Sequence, residues 1–85
     1  PNVKRLNLKG TTALEGIVFN TPYKQMKEFS LNNSGVKEIT GLENLVNLSE
    51  LYLDNTTNLK KVMFQAPLTA LTWLHLNKSG VTEIT

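Results

Sequence analysis

His75 is the only histidine in the chain, and cysteine is absent. A serine nucleophile with an imidazole base and an orienting carboxylate would therefore have to run through this one residue. His75 sits between Leu74 and Leu76, so in an extended segment it points away from the side on which the leucines are buried. Ser30, in the matching stretch "FSL", shares that orientation. If the two segments are strands of one parallel sheet, two strand steps separate them, roughly 9–10 Å. A nucleophile and its base need about 2.6–3.2 Å. Asp54 falls near His75, but a lone Asp–His pair is commonly a surface contact. The chain is therefore read as non-enzymatic. No His/Asp/Glu cluster has the spacing of a metal site, and no cofactor is implied. Four N-x-S/T triplets begin at Asn32, Asn47, Asn55 and Asn77; they recur in Asn-rich turns and carry no separate message.

The elements that position these residues repeat. Residues 1–40 align with 46–85 without a gap, and 16 positions are identical, among them Leu6/Leu51, Phe19/Phe64, Pro22/Pro67, Gly35/Gly80 and Ile39/Ile84. "LNNSGVKEIT" at 31–40 returns as "LNKSGVTEIT" at 76–85. Each half divides again: "LNL" (6–8), "FSL" (29–31), "LYL" (51–53) and "LHL" (74–76) follow one another at spacings of 23, 22 and 23 residues. An apolar residue stands three positions before each: Val3, Met26, Leu48, Leu71. A hydroxyl turn and then an apolar pair follow each. This period is too long for a hairpin and suits one coil of a solenoid: strand, turn, return segment. One coil cannot bury its own apolar side, so coils must stack. Four parallel strands are expected, with Leu6, Leu8, Leu14, Ile17, Leu31, Val36, Ile39, Leu51, Leu53, Leu59, Val62, Leu74 and Leu76 inside. Pro22 and Pro67 predict extended or tightly turned return segments. "GLENLVNL" (41–48) predicts a helical or 3₁₀ turn, and Phe19 and Phe64 are expected inside the return side.

On these residues the chain resembles the leucine-rich repeats, over its whole length. Its best local match, "VKEITGLENLVNLSELYLDNT" at 36–56, looks like the repeat of internalin-type surface proteins of Gram-positive bacteria. Where that family usually carries Asn, three positions after the last strand leucine, this chain has Ser34, Ser79 or the pairs Thr11-Thr12 and Thr56-Thr57. Ser and Thr still bond turn backbone, more weakly than Asn. The resemblance implies an α/β, β-rich leucine-rich-repeat solenoid. Short parallel strands would line the concave face, with turns and short helical or 3₁₀ segments on the convex face. It implies a single domain over 1–85 with about three and a half coils. It also implies an extracellular or cell-wall location on a Gram-positive bacterium, and a role in adhesion or recognition.

Four rows of side chains should cross the open face. They are Arg5, Glu28, Glu50, Trp73; Asn7, Ser30, Tyr52, His75; Lys9, Asn32, Asp54, Asn77; and Gly10, Asn33, Asn55, Lys78. The aromatic rings fall on the third and fourth strands. Trp73, Tyr52 and His75, flanked by Glu50 and Asp54, have the composition of a binding hot spot. Cross-strand aromatic pairs also support sheets without any ligand, by about 0.2–1 kcal/mol. The expected partner is a protein or a glycan held on the concave face. The alternatives are a spacer with no ligand of its own, or an intracellular scaffold or regulator.

Bulk properties narrow the partners further. The net charge is +2, and no Lys/Arg run exceeds the pairs Lys4-Arg5 and Lys60-Lys61, which argues against nucleic acid. No apolar run approaches the roughly 18–20 residues that span a bilayer, so direct membrane insertion is not expected. Without cysteine there is no disulfide framework, and packing must hold the fold. The chain starts at Pro1 and stops at Ile84-Thr85, half-way round the fourth coil. It is therefore expected to be a segment of a longer protein, with self-association through uncapped ends.

Overall fold

A computed structural model describes residues 3–64 and 68–84. Four strands lie parallel in one sheet: β1 (Arg5–Asn7), β3 (Glu28–Ser30), β5 (Glu50–Tyr52) and β7 (Trp73–His75), in the order β1-β3-β5-β7. The register pairs Leu6 with Phe29, Phe29 with Leu51, and Leu51 with Leu74. Alternation sends this central residue of each strand inward and its two neighbours outward. The molecule is thus a parallel-strand β-solenoid of about four turns, each turn stacked on the next.

After each strand the chain turns sharply. Gly10, Asn33, Asn55 and Lys78 all adopt positive φ, between 57° and 75°. Gly and Asn tolerate this conformation, whereas Lys78 does so against its Cβ. The next hydroxyl secures the turn in two ways. Thr11 and Thr56 donate back to the carbonyls of Leu8 and Leu53, each at 2.6 Å. Ser34 and Ser79 instead accept from the amides of Val36 and Val81.

The return segments hold the expected 3₁₀ turn and extended stretches, but the extended stretches also pair as strands, which was not expected. They carry four more short strands, β2 (Gly16–Val18), β4 (Glu38–Thr40), β6 (Lys61–Val62) and β8 (Glu83–Ile84), paired parallel as β2-β4 and β6-β8. The helical character expected there is confined, among the described residues, to a 3₁₀ turn at Leu42–Asn44. Leu42, Leu45 and Leu48 recur every third residue and are all fully buried, which is the side-chain period of that tighter helix. Asn44 also donates from Nδ2 to the Phe19 carbonyl at 2.7 Å, tying the turn to the coil before it. Pro22 lies in an irregular segment. Pro67 lies outside the described residues.

The core is concentrated in the second and third coils. Met26, Phe29, Leu31, Val36, Leu51, Leu53, Leu59 and Val62 are buried there. Phe19 joins them edge-on to Phe29 and Tyr23, at 5.4 and 5.2 Å between ring centroids. Phe64 is half-buried against the core. The outer coils correct the expected core. Leu6, Leu8, Leu14, Ile17 and Leu76 are only half-buried, and Leu74 is exposed at 38%. Their inward direction is as expected, but each outer coil has a described neighbour on one side alone.

Candidate functional site

The outward side chains of the four-stranded sheet form the rows that the register dictates. Arg5, Glu28, Glu50 and Trp73 are successive partners, as are Asn7, Ser30, Tyr52 and His75. β5 and β7 therefore set Tyr52 directly beside His75. Their rings stack at 4.7 Å between centroids, 29° from parallel. Trp73, two residues before His75 on the same strand and so on the same face, leans on the imidazole at 5.6 Å and 32°. The result is a line of three rings with His75 in the middle. Trp73 is 55% exposed.

Glu50 belongs to this group through Tyr52, whose hydroxyl donates to Glu50 Oε1 at 2.8 Å. That hydrogen bond, followed by lost hydration and the negative charges of Glu50 and Glu28, pushes the Tyr52 hydroxyl above its ordinary value. The phenol therefore stays a donor through neutral and moderately alkaline pH. Asp54 stands apart. Its Oδ1 accepts the Asn77 amide at 2.9 Å, and its own amide donates to Asn32 Oδ1 at 2.8 Å. It is one rung of a side-chain ladder that bridges the turns of the second, third and fourth coils.

His75 Nε2 and Ser30 Oγ are both buried without a hydrogen-bond partner among the described residues. They are thus not bonded to each other, and Tyr52 stands between them in the register. The described residues hold no group of three His, Asp or Glu close enough to bind a metal ion. None of their helices is long and apolar enough to cross a membrane.

Two hollows escaped the sequence reading. One, of about 280 Å³, opens on the four-stranded sheet above Ser30 and is walled on one side by Tyr52. Its signal was present but faint: a single small residue in a row of larger ones. The other, of about 600 Å³, is an open groove on the return side between β4 and Lys61 of β6. It follows from those two strands being unpaired.

Compared with protein-family models, with curated proteins and with solved structures, the chain has no match in any of the three.

Proposed function

We propose that this solenoid is a non-catalytic binding module of the leucine-rich-repeat type, taking a protein or glycan ligand on the outward face of the four-stranded sheet. The observation that carries this reading is Trp73. Stacking between Tyr52 and His75 is accounted for as sheet support, since aromatic pairs contribute about 0.5–1.5 kcal/mol beyond their burial. Trp73 is not accounted for in that way, because more than half of its surface stays in water. A large ring held in place by a neighbour and left open on its outer side suits an interface anchor. Glu50 and Glu28 lie in the same row and give the surface around it hydrogen-bond acceptors.

The internalin-like stretch at 36–56 supports a finer reading, in which the module belongs to a surface protein of a Gram-positive bacterium and serves adhesion or recognition. A spacer role is favoured by a different feature, the ladder Asn32–Asp54–Asn77, which stiffens the stack without creating a site. The two readings part at Trp73. Wild type and Trp73→Ala are immobilised and compared against purified extracellular-matrix proteins and polysaccharides by interferometry. A ligand held by wild type should weaken at least about 30-fold in Trp73→Ala, the equivalent of about 2 kcal/mol. Equal binding by the two would remove Trp73 from the interface. A panel in which wild type holds nothing would favour the spacer.

A further inference from the structure

The hollow above Ser30 has a simple origin. In the row Asn7, Ser30, Tyr52, His75, serine is the shortest side chain, and larger ones flank it. Ser30 is only 3% exposed, and its Oγ has no partner. A buried hydroxyl left unpaired is costly, and it can both donate and accept. It forms the floor of a space that Asn7, Lys9, Glu28, Asn32 and Tyr52 surround.

The wall groups are held in place in advance. Asn7 Oδ1 accepts the Lys9 amide at 3.0 Å, and Asn32 Oδ1 accepts the Asp54 amide at 2.8 Å. Each bond uses the amide's oxygen and leaves its NH₂ group to donate. Glu28 supplies a carboxylate, held only loosely by Arg5 at 3.9 Å. Tyr52 is stacked on His75 toward β7 and lines the hollow toward β3.

These features select one ligand chemistry. Lys9 and Glu28 balance one another, so neither an anion nor a cation is favoured. An apolar side chain would leave the serine hydroxyl and two amides unpaired. A neutral ring with adjacent hydroxyls suits them, because each hydroxyl donates and accepts at once, with the buried Ser30 hydroxyl turning about χ1 to meet one of them, and its C–H face can lie on Tyr52. The volume, about 280 Å³, is at the lower edge of the roughly 300–1,000 Å³ of small-molecule pockets. It admits one ring. We propose that the Ser30 hollow is a subsite for a single neutral sugar ring. This rests on the reading that the sheet face binds, and it names the ligand's class as glycan.

The test is a titration of the ¹⁵N-labelled chain with glucose, galactose, mannose and N-acetylglucosamine at millimolar concentrations, followed by NMR. At least one sugar should shift the amides of Asn7, Ser30, Asn32 and Tyr52 in a saturable way. Lys37→Ala, exposed on the return side and away from the sheet face, should keep that response. Ser30→Val, which fills the floor and removes the hydroxyl, should abolish it. Asn7→Ala, at an exposed position that leaves the core untouched, should weaken it about tenfold, and guards against a folding defect in Ser30→Val. No shift with any of the four sugars would overturn the proposal, as would shifts centred on Trp73 or unaltered by both hollow variants. A protein ligand lost on Ser30→Val would likewise overturn it, making the hollow a side-chain pocket. If the sugars fail while Trp73→Ala still abolishes binding of another ligand, the subsite falls and the sheet-face function stands.

Discussion

Along β1, β3, β5 and β7 every coil is hydrogen-bonded to the next, whereas on the return side β2 pairs with β4 and β6 with β8, and nothing pairs β4 with β6. The turns explain the difference. Gly35 donates its amide to the Thr11 carbonyl at 3.2 Å, and Gly80 donates to Thr56 at 3.0 Å. A Cβ on either glycine would collide with the carbonyl of Thr12 or Thr57, respectively. Glycine is thus what lets the second coil nest against the first, and the fourth against the third. At the middle junction the incoming turn carries Asn58 before Leu59, where the nesting turns have glycine before valine. The two sides therefore obey different periods. The sheet repeats every coil, and the return side repeats every two. The 45-residue repeat in the sequence is written by the return side, and the open groove at the β4/β6 split is its consequence.

The largest test of this comparison lies on the continuous side. Leu53 is fully buried in the third coil, with neighbours above and below. Leu53→Ala should lower stability by about 2–5 kcal/mol, read as a shift of the urea midpoint. A variant that melts like wild type would put the inward and outward assignment one residue out.

The nesting glycines give a sharper contrast within the return side. Gly35→Ala drives a methyl into backbone and should cost about 1–3 kcal/mol, as overpacking does. At Gly16, in β2, the nearest atom to an added Cβ is the Glu38 carbonyl oxygen at 3.6 Å, an ordinary contact. Gly16→Ala should therefore stay within about 0.5 kcal/mol of wild type. Equal losses in thermal melts of the two variants would break the link between glycine and coil pairing.

The smallest effect is a gain. Lys78 holds φ at 57° where the other coils have Gly10, Asn33 and Asn55. Lys78→Gly removes a left-handed strain of about 1–2 kcal/mol. The extra freedom of glycine in the unfolded chain takes back about 0.5–1 kcal/mol. A modest rise in melting temperature should remain, and a fall would mean that Lys78 makes a contact worth more than its strain.

The sheet was legible because one residue in two is constrained at a constant spacing. The order Asn7, Ser30, Tyr52, His75 follows from the alternation in "LNL", "FSL", "LYL" and "LHL" alone. The return strands were not legible, since their apolar residues stand three apart, as in Leu14/Ile17 and Val36/Ile39, and do not alternate as a half-buried strand does. Burial of Leu74 was misjudged because alternation gives the direction of a side chain and not the presence of a neighbour to cover it. Phe29 and Met26 are fully buried, but their weight in the core depends on how Phe19 meets Phe29 across coils. The Asp54 carboxylate was placed near His75 by its position in the adjacent row of the face, while the structure gives its Oδ1 to the Asn77 amide. The Ser30 hollow is a property of a row and appears only when three strands are in register.

Trp73 is the chain's only tryptophan, so intrinsic fluorescence reads the central claim, an aromatic line open on the sheet face, without a label. The free chain should emit at long wavelength and be quenched readily by both acrylamide and iodide. Emission shifted to the blue and resistant to both quenchers would place the indole inside a core or beneath another segment, and would contradict the account.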